Sequence, residues 1–261
     1  EIYTLGRSSA ASDVYKRQHL IIMPDADVDQ SSKALAASAF GCAGQRCMAG
    51  SVAIAVGSAG DPLVNQLVDF ASRMKISPTD DNDAADMGPV ISPEHRDRVA
   101  GYLETAQRVG AKVVLDGRTI DPGKSFLLGP SVVDRVTTDM PLWKEEIFGP
   151  LLSVVRADSL EDALAIGKTC PFGNGASIFT SSGHAAREFK RHFNAGMIGI
   201  NVGVPAPMAW LPFTGWNQSF FGDLHIQGKE GVHFYTRQKM TLTRWFESSA
   251  TSHHDPVWKA N

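Results

Sequence analysis

Two strand-length apolar runs, each followed by a helix-period segment, constrain the fold of this chain more than any other feature. His19-Leu20-Ile21-Ile22-Met23 is apolar, is closed by Pro24, and reads as a buried strand. Asp25-Ala26-Asp27 stands where it can cap a helix running from Val28 to Phe40. Ser51 to Val56 is the second apolar run, stopped by Gly57. Asp61-Pro62 then opens a helix in which Leu63, Val64, Leu67, Val68, Ala71 and Met74 form one apolar face. Strand, helix, strand, helix in that order predicts an α/β fold. A parallel pair needs a long crossover, and its strands must be covered on both faces.

The alternation continues. Ser92-Pro93-Glu94 starts a helix to about Val109, closed by Gly110, and Ala111 to Leu115 is a short strand. Phe126 to Val133 is extended, and Leu151 to Val155 is a strand followed by a helix entered at Ser159 and running to Lys168. Ala176 to Thr180 and Met197 to Asn201 read as strands flanking a helix over Gly183 to Phe193. Earlier, ahead of the helix that starts at Ser92, the polar, acidic stretch Ser77 to Gly88 reads as a surface loop. Val204 to Gly222 has prolines, glycines and aromatics without a period, and a loop of that length inside a domain reads as lining a substrate site. After a short helical piece near Gly228, Thr236 to Trp245 reads as a polar strand suited to pairing with another chain. Residues 1–18 have neither helical nor strand period and no apolar signal core, and are expected to be a leader foreign to the domain.

Chemistry centres on the bend between the first helix and the second strand. Phe40 to Ser51 (FGCAGQRCMAGS) sets Cys47 among small residues, which let backbone amides approach whatever reacts at the sulfur. Arg46 beside it favours a thiolate or holds a substrate anion. A small buried hydrophobe is the competing reading of Cys47, and it applies to Cys42 and Cys170, both read as structural. Three cysteines without regular spacing give no disulfide framework. The next feature is Glu145-Glu146, just ahead of Ile147-Phe148-Gly149-Pro150, at a junction read as one where ligands of open α/β sheets collect. Adjacent residues of an extended segment point to opposite sides, so at most one of the two carboxylates faces a site. A solvated pair is the alternative. A net charge of -3 without a basic stripe does not describe a nucleic-acid surface, and no apolar run approaches a membrane span. The eight histidines lack the spacing of a metal site, and there is no G-x-G-x-x-G, P-loop or G-x-S-x-G motif.

Together these segments resemble the aldehyde dehydrogenase superfamily. Gly44-Gln45-Arg46-Cys47-Met48-Ala49 is similar to its nucleophile segment. Glu145 to Pro150 is similar to its cofactor-contact segment, about 100 residues later as that family has it. Phe172-Gly173-Asn174-Gly175-Ala176-Ser177-Ile178-Phe179-Thr180 resembles a further block. Arg46, Asn174-Gly175, Ile200-Asn201 with Pro205 and Pro207, Phe213-Thr214-Gly215, Phe221-Gly222-Asp223 and Phe234-Tyr235-Thr236-Arg237 look like the CoA-acylating methylmalonate (malonate) semialdehyde dehydrogenases.

The resemblance implies that the Cys47 thiolate attacks an aldehyde, that a thioester forms on Cys47 with NAD as hydride acceptor, and that coenzyme A takes the acyl group. It implies Arg46 as the partner of the substrate carboxylate, Glu146 as a contact to the nicotinamide ribose and Phe148 as packing beside the nicotinamide. It implies a division into a leader (1–18), a catalytic domain (19–235), an oligomerisation strand (236–246) of a homo-oligomer, a dimer or tetramer, and a tail (247–261). The family's Rossmann-like NAD domain has no counterpart in these residues, so the chain is expected to be a C-terminal catalytic-domain fragment. A cytoplasmic enzyme is expected, or a mitochondrial-matrix one in a eukaryote. The alternatives are a hydrolytic aldehyde dehydrogenase releasing a free acid, and a non-catalytic structural relative.

Overall fold

β1 (Gln18–Ile22) is buried along its whole length, and it is the strand on which the rest of the sheet is built. The computed structural model describes residues 17–79, 85–121, 126–225 and 227–246. β1 pairs in parallel with β2 (Gly50–Val56) on one side and with β7 (Gly175–Phe179) on the other. β2 pairs in parallel with β5 (Leu151–Ala157), β5 with β4 (Ser131–Asp134), and β7 with β8 (Met197–Ile200). β3 (Lys112–Leu115) completes the order β3-β4-β5-β2-β1-β7-β8 and runs antiparallel to β4. The expected parallel sheet therefore has one antiparallel edge. The physical reason is the connection: the described residues between β3 and β4 hold only a 3-10 turn at Gly117–Thr119, and no helix crosses back over the sheet there.

Side-chain alternation in the strands assigns the helices to the two faces. In β2, Val52, Ile54 and Val56 point to the face covered by α3 (Pro93–Arg108), α5 (Leu160–Lys168) and α6 (Gly183–His192), where they meet Leu103, Leu164 and Phe189 in one core. Ala53 and Ala55 point to the opposite face, against α1 (Val28–Phe40) and α2 (Gly60–Ser72). There Ala36 and Ala39 of α1 meet small strand residues, so the helix backbone comes close to the sheet, while Leu35, Phe40, Leu63 and Leu67 fill the remaining space. Each such large side chain contributes about 1.5–3 kcal/mol by leaving water. α1 begins where expected: the Asp27 carboxylate accepts from the Gln30 amide at 3.0 Å.

Three sequence expectations change. Gln18 belongs to the domain, because it opens β1 opposite Gly50 and its side-chain amide donates to the Gly203 carbonyl at 2.8 Å. Arg17 belongs with it: its buried guanidinium donates to the Leu142 and Glu145 carbonyls, and burial pushes its pKa down to about 10. The rest of the expected leader, and the tail over 247–261, lie outside the described residues. The long loop after β8 carries a short strand of its own, β9 (Trp216–Asn217), antiparallel to β6 (Phe172–Gly173). Thr236 to Phe246, after α7 (Gly228–Tyr235), forms no strand ladder in the single chain, and Met240, Leu242 and Trp245 are each at least 87% exposed. A strand needs a partner for its backbone groups, and none of the described residues supplies one. α4 (Pro141–Lys144) is the short helix that leads into the Glu145 segment.

At the amino edge of the sheet two loops touch through glycine. Gly44 has φ +68°, and a Cβ there would stand 2.2 Å from the Gly149 carbonyl oxygen. Backbone cannot move aside as a flexible side chain can. Gly44→Ala is expected to lower stability by about 2 kcal/mol or more. Gly110→Ala shares the positive φ of +85° but has open space around it, and so isolates the conformational cost of about 1 kcal/mol. Equal losses of melting temperature in the two variants would show that the Gly44–Gly149 contact carries no weight.

His19 offers a second test. It is buried, its ring lies 5.1 Å from that of Trp143, and its Nε2 has no partner. Burial first, and the Arg17 charge second, push its pKa down to about 3. A group whose folded pKa lies below its unfolded value stabilises the fold above the unfolded pKa, about 6.5, and that stability is lost as pH falls toward 3. Chemical denaturation is expected to show a loss on the order of 3 kcal/mol between pH 7 and pH 4 that His19→Asn lacks. The same fall in His19→Asn would assign the acid sensitivity elsewhere.

Candidate active site

Cys47 lies on the bend between α1 and β2 and is exposed, so the reading of it as a small buried hydrophobe does not hold. Cys170 is buried and burial raises its thiol pKa, as suits an inert structural cysteine. Cys42, expected to be structural as well, is exposed instead. It lies in a run of left-handed residues, Cys42 (φ 54°), Ala43 (φ 53°) and Gly44 (φ 68°), which turns the chain sharply out of α1. A left-handed conformation costs roughly 1–2 kcal/mol for a non-glycine residue, so this bend is held in place by its surroundings.

Arg46 is one of the groups that holds it. Its Nη2 donates to the Ala37 and Ser38 carbonyls at 2.7 and 3.0 Å, at the carboxyl end of α1. That helix has no basic residue in its last turn, and the guanidinium supplies the missing positive charge from the loop. Gly41 leaves the space: a Cβ there would be 2.8 Å from Nη2. Arg46 Nε is buried without a partner.

Gln45 ties the bend to the next element, its Oε1 accepting from the Ile91 amide at 3.1 Å just ahead of α3. Beyond the cysteine, the Ala49 amide donates to the Arg46 carbonyl at 3.1 Å and closes a turn around Cys47 and Met48. Ser38 then fixes the start of β2: its hydroxyl accepts from the Gly50 amide at 2.9 Å and donates to the Gly203 carbonyl at 2.8 Å.

The segment Glu145–Pro150 is held by one face of α3. His95, Arg98, Val99 and Tyr102 recur at helical spacing. His95 Nε2 lies 2.7 Å from the Phe148 carbonyl, which can only accept, so Nε2 carries the proton. Arg98 donates to the Ile147 carbonyl, and Val99 packs where Gly149 has no side chain. The Tyr102 hydroxyl donates to Glu145 Oε2 at 2.5 Å, and burial followed by this bond raises its pKa. Glu145 is therefore turned to α3, and both Glu146 and Glu145 lie within electrostatic reach of Arg17. Phe148, at φ 56°, is 40% exposed. Sequence reasoning missed the α3 contribution: the i, i+3, i+7 spacing of His95, Arg98 and Tyr102 marks one polar helix face but not what it binds.

Cys47 precedes β2, Glu146 and Phe148 precede β5, and Asn174 precedes β7, so all stand toward the amino ends of parallel strands. The junction is thus not the ligand-collecting edge of open α/β sheets, which is the carboxyl edge. At that opposite edge lies a cleft of about 480 Å³ lined by Asp61, Lys112, Asp134, Arg135 and Arg156. Arg156 there is occupied by Asp134 and Asp61 at 2.8 and 3.0 Å.

The loop after β8 folds back toward the cysteine: Pro205 and Met48 both stand over Gly175, 3.5 and 2.7 Å from where its Cβ would be. Among the described residues, no group of three His, Cys, Asp or Glu side chains is placed to hold a metal, and no helix is long and apolar enough to cross a membrane.

The site thus sets an exposed thiol on a glycine-rich bend whose backbone touches, at Gly149, the segment of Glu146 and the exposed Phe148. Known proteins share the fold and much of the sequence. Malonate-semialdehyde dehydrogenase 1 of Geobacillus thermodenitrificans is 47% identical over 231 residues, which is 88% of this chain and 48% of that protein. The crystal structure of methylmalonate-semialdehyde dehydrogenase from Oceanimonas doudoroffii superimposes with a TM-score of 0.85 at 43% identity, covering 89% of this chain and 48% of that one. A Mycobacterium tuberculosis aldehyde dehydrogenase complexed with NAD+ gives a TM-score of 0.78 at 31% identity, covering 84% of this chain and 45% of that one. The chain thus spans about half the length of the relatives it matches. Residues 17–241 match the sequence profile of the Aldehyde dehydrogenase family, and the chain belongs to that family.

Proposed function

We propose that these residues form the catalytic part of an NAD-dependent, CoA-acylating dehydrogenase of malonate or methylmalonate semialdehyde. One observation carries the reading: Cys47 is exposed on a bend that Arg46 ties to α1 and Gln45 to Ile91, and that meets the segment of Glu146 and Phe148 where Gly44 touches Gly149. The names of the similar proteins, malonate- and methylmalonate-semialdehyde dehydrogenases, support the carboxylated substrate.

In this reading the Cys47 thiolate adds to the aldehyde carbon, and the Cys47 amide donates to the oxygen that becomes negative. Loss of hydride from the resulting thiohemiacetal carbon leaves a thioester on Cys47. NAD, when bound, would supply the hydride acceptor, and Glu146 and Phe148 are the residues that would hold its ribose and its nicotinamide. Coenzyme A then takes the acyl group and frees the thiol. With malonate semialdehyde the balance is aldehyde, NAD+ and CoA to acetyl-CoA, carbon dioxide and NADH; the methyl-substituted substrate gives propionyl-CoA. Arg46 pairs with the substrate carboxylate through Nη1, since Nη2 is already given to α1 and Nε is buried. The chain spans about half the length of the relatives it matches, so the assays below use a polypeptide that includes a dinucleotide-binding region. The exposed apolar side chains of 236–246 favour a homo-oligomer in which that segment gains a partner strand. A cytoplasmic location, or the mitochondrial matrix in a eukaryote, accords with this chemistry.

Assayed in a polypeptide that includes a dinucleotide-binding region, Cys47→Ala is expected to abolish NADH formation, and acyl-CoA is the expected product of the unaltered protein. Turnover surviving in Cys47→Ala would end the proposal. Free acid formed at the same rate without CoA would move it to the hydrolytic class. Arg46→Lys is expected to raise KM for the carboxylated aldehyde by roughly tenfold to a hundredfold. It should act less on propionaldehyde. Equal losses on both substrates would leave Arg46 only its role at the end of α1.

A further inference from the structure

Asn174 is 1% exposed, sits one residue ahead of β7, and spends its side chain on the cysteine bend. Its Nδ2 lies 3.2 Å from the Cys47 carbonyl oxygen and 2.9 Å from Met48 Sδ. Both neighbours are acceptors, so the amide nitrogen, with its two protons, is the atom that faces them. Its own backbone is fixed by the Met197 amide, which donates to the Asn174 carbonyl at 3.1 Å. The next residue, Gly175, leaves room for the end of the Met48 side chain, whose Cε would stand 2.7 Å from a Cβ there.

We propose that Asn174 is the positioning residue of Cys47: it holds the Cys47 carbonyl inward so that the thiol stays outward and the Cys47 amide keeps a fixed direction. The inference rests on the reading of Cys47 as the nucleophile. The turn around Cys47 is closed on one side by the bond from the Ala49 amide to the Arg46 carbonyl, at 3.1 Å. That bond leaves the peptide between Cys47 and Met48 free to rotate as a unit. The Asn174 carboxamide removes this freedom from across the sheet, on a rigid strand end. Met48 is 3% exposed and packs as an anchor, while Cys47 is exposed. The burial of one and exposure of the other is the division that a carbonyl clamped from below produces. A nucleophile displaced by even about 1 Å loses a large part of its rate.

The test reads the iodoacetamide labelling rate of each cysteine in the folded chain by peptide mass mapping. Cys42 and Cys170 serve as internal references, one exposed on the same bend and one buried. Asn174→Ala is expected to lower the Cys47 rate relative to Cys42 by roughly tenfold while Cys170 stays protected. Met48→Leu keeps the carbonyl bond and loses only the sulfur, and is expected to change the ratio by less than about twofold. In the polypeptide with a dinucleotide-binding region, Asn174→Ala is expected to lower kcat with little change in KM.

An unchanged Cys47-to-Cys42 ratio in Asn174→Ala with Cys170 protected would overturn the proposal. So would an equal fall in Met48→Leu. If Asn174→Ala exposes Cys170, the fold has been lost, and Asn174→Ser, whose shorter side chain cannot reach the carbonyl, is read by the same ratio and the same criteria. Failure of the underlying reading is distinguishable: Cys47 in the unaltered chain would react no faster than Cys42, and Cys47→Ala would keep turnover.

Discussion

Where Gly44 crosses Gly149 there is no room for a side chain on either strand of the crossing, and the site depends on that contact. A Cβ on Gly44 would meet the Gly149 carbonyl oxygen, and one on Gly149 would meet Val99 at 2.6 Å. The two residues belong to the two segments that carry the candidate chemistry, Cys47 in one and Glu146 and Phe148 in the other. Backbone-to-backbone contact brings these segments together more closely than any side-chain packing would. It also sets α3 as a common support, since Val99 fills the space left by Gly149 and its neighbours His95, Arg98 and Tyr102 take up the carbonyls and carboxylate of the same segment.

Around that crossing the chain satisfies groups that folding would otherwise leave unpaired. The carboxyl end of α1 presents carbonyls without a helical partner, and Arg46 reaches back to two of them. Arg46, the residue next to Cys47, is thus part of the mounting of the bend, whatever it does with a substrate. Ser38, on the same helix, bridges the first amide of β2 to Gly203 in the loop after β8. The bend, the helix before it, the strand after it and the distant loop form one hydrogen-bonded unit at the amino edge of the sheet.

Elements that are set by their own residues were legible in the sequence. The apolar runs of β1 and β2, the Asp27 cap of α1, and the small residues of β2 against those of α1 announced a covered α/β sheet. The exposure of Cys47 on a bend of small residues was legible there too. Partners were harder to read. Backbone carbonyls carry no sequence signal, so the face of α3 that binds residues 145–148 looked like any polar helix face, and the bond from Asn174 to the Cys47 carbonyl spans residues far apart in the chain. Positive φ at Cys42, Ala43 and Phe148 has no residue signature, as it would at glycine. Arg17 and Gln18 were lost because no pattern precedes them, and a window that short shows no period. The segment 236–246 was read as a strand from its alternation, but strand structure also needs a neighbour to bond.

The claim on which everything rests is that this bend presents Cys47 to an aldehyde, a step that needs neither NAD nor CoA. Carbon NMR of the folded chain with an aldehyde labelled at its carbonyl carbon reads that step directly. A tetrahedral thiohemiacetal signal is expected in the unaltered chain and in Cys42→Ser, and is expected to vanish in Cys47→Ala. No such signal in the unaltered chain, or one that persists in Cys47→Ala, would contradict it.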